Sequence, residues 1–177
     1  MKKINKIPES MTLQFDPINS TSEFIDYLKR CYWNAKQFEN TLPYLIQNSS
    51  SYELKLALSD AVPISARHTN RLIQIFDSMQ ERVKGERSLN LQYHFTKLQT
   101  IAEDFTIGFS LDNAIILQCQ KIMSHDIKVL TSLMAYANAK KDTTVSHYLN
   151  AAISEEKQAH GILTEIAVKS IYFDQAV

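Results

Sequence analysis

Apolar residues recur along this chain at alternating intervals of four and three, the spacing of helices that bury one face in a bundle. The first stripe reads Phe24, Leu28, Cys31, Ala35, Phe38, Leu42, Leu45. The second reads Leu54, Leu58, Ala61, Ser65, His68, Leu72, Ile75, Met79. A shorter one, predicted over residues 90–106, carries Leu91, Phe95, Leu98, Ala102 and Phe105. The third long stripe has Ile115, Cys119, Ile122, Asp126, Val129, Leu133, Tyr136, and the fourth Val145, Leu149, Ala152, Glu156, Ala159, Leu163, Ile166. Each long stripe implies a helix of roughly 40 Å. The predicted fold is all-α: an antiparallel four-helix bundle with one extra short helix between the second and third long ones.

Punctuation supports these boundaries. Residues 1–20 lack helical periodicity and hold Pro8 and Pro17, so they are expected to form an N-terminal arm, extended or partly disordered, ahead of a bundle over 21–172. Ser20, Thr21 and Ser22 offer N-caps, with Glu23 suited to the first turn. Pro43 predicts a kink, and Pro63, which frees the Ser59 carbonyl, a bend or local unwinding. Gly85 falls in a loop, Gly108 and Ser110 break the short helix, and Asp112 is placed to cap the next. A turn is expected at 140–144.

Composition narrows the function classes. The 177 residues suit one domain, and only 3 glycines and 4 prolines favour long helices over many strands. Zero formal net charge argues against nucleic acid as a partner. The basic group Arg82, Lys84, Arg87 reads as a solvated turn. Cys31 and Cys119 form no CxxC and read as buried thiols in a reducing compartment. No apolar run suits a signal peptide or a membrane span, so a cytoplasmic protein without membrane contact is expected.

Candidate chemistry lies halfway along the stripes, at Ala35, His68, Asp126 and Glu156, with His160 one turn after Glu156. Carboxylates and histidines at mid-bundle suggest an internal metal site; the alanine, and Pro63-Ile64 before His68, suggest one that has been dismantled. The plainer alternative is that these polar groups satisfy one another. His94, His125 and His147 lack partners at ligand spacing and read as surface residues. Trp33 is expected to pack on the short helix or at a dimer interface. The methionines read as core filler.

Several motifs resemble one family. Cys31-Tyr32-Trp33-Asn34-Ala35-Lys36-Gln37-Phe38 followed by Leu42-Pro43 resembles the Leu-Tyr-Trp-Ala-Glu-Lys-Gln-Leu…Leu-Pro opening of the YciE/YciF-type ferritin-like family of bacterial proteins. Glu53-Leu54-Lys55, His68-Thr69-Asn70-Arg71-Leu72, Gln120-Lys121-Ile122 and Glu155-Glu156-Lys157 follow in the family's order, so the resemblance spans about residues 22–169. It implies a ferritin-like bundle, usually dimeric, associated with bacterial stress responses, some members being di-metal carboxylate proteins. Against that pattern the ligand glutamate of the first helix falls on Ala35. The glutamate pair of the second falls on Pro63 and Ile64, and a glutamate of the third on Met123. A second glutamate there becomes Asp126, and the aspartate of the fourth helix becomes His160. His68 and Glu156 are unchanged.

Two carboxylates carry too little charge for two metals. The leading expectation is therefore a non-enzymatic, dimeric structural or interaction protein with a degenerate di-metal site, no cofactor and a stress-related role. The alternative is one Zn, Fe or Mn ion held by His68, Asp126, Glu156 and His160, with weak oxidase or sensor activity.

Overall fold

A computed structural model describes residues 17–174, and side chains through residue 170. The bulk of the predicted arm therefore lies outside the described residues. Five helices follow in order: α1 Thr21–Asn48, α2 Tyr52–Ser78, α3 Leu89–Asp104, α4 Phe109–Ala139 and α5 Thr143–Asp174. Ser20 caps α1, its hydroxyl accepting the Glu23 N–H at 3.2 Å, and Ser51 caps α2 in the same way through Leu54.

The helices close as a ring in the order α1, α2, α5, α4, each antiparallel to its neighbours, and α3 covers the groove between α1 and α4. α1 descends from Phe24 to Leu45, α2 and α4 climb, and α5 descends. The chain crosses from α2 to α3 along α1, where the Glu86 N–H donates to the Lys29 carbonyl at 3.1 Å. A Cβ on Gly85 would stand 3.4 Å from that of Trp33, so the crossover presses closely on α1. Trp33 itself packs edge-on against Phe95 of α3, with ring centroids 5.6 Å apart.

Two apolar clusters fill the bundle. The upper one joins Phe24 and Leu28 of α1, Leu72 and Phe76 of α2, Leu130 and Leu133 of α4, and Val145 and Leu149 of α5. The lower one joins Leu42 and Leu45 of α1, Leu54 and Leu58 of α2, Leu91, Phe95 and Leu98 of α3, and Ile115 and Ile116 of α4. Among the described residues, the only buried member that α5 contributes below is Leu163.

Several local expectations are corrected. α2 does not unwind at Pro63 but stays helical through it, and Pro63 is exposed. A ring on the solvent face leaves the freed carbonyl within reach of water, so the helix need not unwind. The short helix ends at Asp104, leaving Phe105 outside, and Ser110 lies inside α4. Asp112 does not cap its own helix. Its buried carboxylate accepts the backbone N–H of Ser50 and Ser51, both at 2.8 Å, and the Ser50 hydroxyl at 2.7 Å, tying α4 to the α1–α2 turn. His147 is exposed as expected, but His94 and His125 are half-buried, and His94 Nδ1 bonds Gln118 at 2.8 Å.

Candidate functional site

The heptad-like spacing that builds the two clusters leaves a polar layer between them. α1 contributes Asn34 beside Ala35, α2 contributes Ser65, His68 and Thr69, α4 contributes Asp126, and α5 contributes Glu155 and Glu156. A cavity of about 30 Å³ sits at this level. Its walls include His68, Asp126 and Glu156, together with Ala35, Ile64 and Met123. Three polar residues singled out from the sequence thus meet three apolar ones that stand where the resemblance places ligands. Pro63 and His160 are not in these walls.

Asp126 and His160 each bond a residue outside the set singled out from the sequence. The Asn34 amide donates to Asp126 Oδ1 at 2.8 Å, a buried bond between α1 and α4. His68 Nδ1 stands 3.7 Å from Glu156 Oε1, a contact rather than a hydrogen bond. His160 turns instead to Ser124, with Nε2 and Oγ 3.1 Å apart. Glu155 is clamped by the Arg71 fork, Nη2 donating to Oε1 at 3.0 Å and Nη1 to Oε2. Two buried oxygens, Asn34 Oδ1 and Glu156 Oε2, have no partner.

Burial dominates the electrostatics. It pushes Glu156 up to about 8, helped by the charges of Asp126 and Glu155. It pushes Asp126 up to about 7, against the Asn34 hydrogen bond, which favours the ionised form. It pushes His68 down to about 4, so the imidazole is neutral at pH 7. Burial also raises both thiols, Cys119 to about 12 and Cys31 well above its ordinary range, with the carboxylates adding to the effect. Both cysteines are free and buried, so neither is a reactive thiolate.

The layer does not fit a two-metal centre: it has one buried carboxyl, Asp126, and one half-buried, Glu156, where bridging ligands and charge compensation call for more. Among the described residues, no three His, Cys, Asp or Glu side chains are grouped to hold one ion. Asn34 escaped the sequence reading. Its signal was its position three residues after Cys31 and four before Phe38, on the buried side of the first stripe.

An all-α, antiparallel four-helix bundle with one extra short helix, built around a mid-height polar layer, is the class defined by fold and site. Residues 20–175 match the family described as a domain of unknown function (DUF892), and the chain belongs to that family. Two solved structures are similar. One is the stress protein YciF of E. coli, 21% identical, with a TM-score of 0.78 over 85% of this chain and 96% of that one. The other is YcfI of Rhodopseudomonas palustris, to which a structural role is ascribed, 20% identical, with a TM-score of 0.77 over 83% of this chain and 94% of that one. A comparison with curated proteins finds no match. Among the described residues, no helix is long and apolar enough to cross a membrane.

Proposed function

We propose that this chain is a non-enzymatic member of its family, acting as a dimeric structural or interaction protein with a stress-related role, its di-metal site degenerate. One observation carries the reading: Ala35, Ile64 and Met123 wall the mid-bundle cavity, so apolar packing takes the place of buried charge there. Replacing buried ions by well-packed apolar groups is neutral or stabilising, which suits a scaffold more than a catalyst. The descriptions of YciF as a stress protein and of YcfI in structural terms agree with this role. Exposed Leu89, Tyr93 and Leu117 on α3 and α4 offer apolar surface for a partner to cover. The protein is read as cytoplasmic, with no nucleic-acid partner, on its neutral charge and buried free thiols. Sedimentation equilibrium tests the dimer; a strict monomer that captures no partner would sink the reading.

A second reading, one Zn, Fe or Mn ion on His68, Asp126, Glu156 and His160, draws on the unpartnered Glu156 Oε2. It requires His160 to leave Ser124 and turn inward. Elemental analysis of untagged protein decides between the two: about one metal per chain, lost in Glu156→Ala, selects the second.

A further inference from the structure

Below the polar layer α5 stands off α2, and a cavity of about 350 Å³ opens between them. Its size is within the range of small-molecule sites. Leu56, Ile162 and Ile166 line it, and Leu56 and Ile162 are 48% and 42% exposed. This cavity and the small polar one are lined in common by Phe38, Ala61, Ile64, Met123, Glu155 and Ala159. The apolar groove therefore abuts the small cavity that Asp126 and Glu156 line.

We propose that groove and polar cavity form one site for a primary alkylammonium ion, its aliphatic tail on Leu56, Ile162 and Ile166 and its ammonium group between Asp126 and Glu156. Three features select this chemistry. The inner cavity, at about 30 Å³, holds one water-sized group, which matches –NH₃⁺ and excludes a carboxylate or phosphate head. Glu156 Oε2 is a buried acceptor with no donor, a costly arrangement that an ammonium N–H would relieve. Glu53, Asp60 and Glu165 line the mouth against Lys169 alone, Glu155 being held by Arg71, so the approach is net acidic. Asn34 already occupies Asp126 Oδ1, leaving Oδ2 for the ligand. The proposal adds a ligand to a scaffold and requires the groove to stay open in the assembly the chain forms.

The test is calorimetric titration of the full chain with octylammonium chloride, beside butylammonium, octanoate and octanol, with amide NMR shifts locating the site. Each buried methylene should tighten binding roughly three- to fourfold, so the octyl chain should exceed the butyl, which is the length of a lysine side chain, by on the order of a hundredfold. Octanoate and octanol should bind at least about tenfold more weakly, since a carboxylate head is repelled by the two carboxyls and a hydroxyl brings no charge to pair with them. Glu156→Gln should weaken octylammonium at least about tenfold, and so should Ile162→Lys, which changes an exposed position and leaves the fold intact. Shifts should centre on Ala61, Ile64 and Ala159. Absence of saturable binding, equal binding of octanoate, no gain from tail length, or affinity untouched by Ile162→Lys would each overturn the proposal. A dimer that covers the groove would show as absence of binding and would count against it equally.

Discussion

The upper and lower halves of the bundle are made by the same four long helices and pack differently. Above the polar layer α5 sends Val145, Leu149, Ala152 and Ile153 into the core, closing a four-sided cluster. Below it, among the described residues, α5 sends only Leu163 into the buried core, α3 has been added on the far side, and a groove lies open against α2. The upper half spends its apolar surface on stability. The lower half leaves Leu56, Val62, Ile162 and Val168 exposed, surface that has value only when something covers it.

The largest expected effect follows directly. Leu149 is fully enclosed, so Leu149→Ala should leave a sealed void and cost about 4 kcal/mol, near the top of the range for such changes. Leu163 borders the groove, and the space left by Leu163→Ala would merge with an opening already in contact with solvent, for about 2 kcal/mol. Urea denaturation of the two variants compares them on one scale. Equal losses would erase the distinction between the halves.

The ends of the bundle differ too. At the lower end the α1–α2 turn hangs on Asp112, whose removal orphans the amides of Ser50 and Ser51 together. Asp112→Ala should cost about 2–3 kcal/mol, because charge-assisted hydrogen bonds to a buried carboxylate are lost and donors are left unsatisfied. At the upper end Ser20 caps α1 through one bond, and Ser20→Ala should cost about 1 kcal/mol. Should the serine change prove the more harmful, the lower turn would be anchored by something other than Asp112.

The layer between the halves should make stability fall as pH rises. Asp126 and Glu156 hold their protons more tightly folded than unfolded, with folded values of about 7 and 8. Between pH 6.5 and 8.5 the native state must give up protons that the unfolded chain has already lost, so stability drops, on the order of 2 kcal/mol. His68 has the opposite sign. Its folded value of about 4 makes its contribution full above its ordinary value near 6.5 and lost as pH falls towards 4, which leaves the upper window to the carboxyls. Thermal melts across pH 6.5–8.5 check this, and Glu156→Gln should flatten much of the slope. A profile already flat in the wild-type chain would mean that a cation compensates the carboxylates.

Sequence periodicity made the helices and the bundle legible, because a buried face repeats every turn and each long stripe here runs about six or seven turns. It also brought His68, Asp126 and Glu156 to one level, since each sits midway along its stripe. What it could not show was rotation and partner choice. His160 shares a face with Glu156 by spacing, yet its ring finds Ser124 on the neighbouring helix. Asn34 is one residue from the expected Ala35 and is the group that actually binds Asp126. The groove was invisible for the same reason. Ile162 and Ile166 fit a helical stripe whether or not α5 leans away from α2, and only packing reveals that it does.

The smallest effect belongs to the upper turns, which close without glycine. α2 and α4 both end with paired backbone bonds, Glu81 N–H to Phe76 and Gln80 N–H to Asp77 in one, Asp142 N–H to Ala137 and Lys141 N–H to Asn138 in the other. This arrangement places Gln80 at φ 57° and Lys141 at φ 60°, the left-handed region that glycine enters without Cβ strain. Gln80→Gly and Lys141→Gly remove strain of about 1–2 kcal/mol each and add unfolded-chain entropy of about 0.5–1 kcal/mol, for a net gain near 0.5 kcal/mol. Both side chains are exposed, so no packing is lost with them. The pair should raise the melting midpoint by a few degrees, with no change in octylammonium affinity, because the upper turns lie a half-bundle away from the groove. A gain in stability accompanied by altered ligand affinity would show that the two halves are coupled, and that the lower groove is not the independent unit its packing describes.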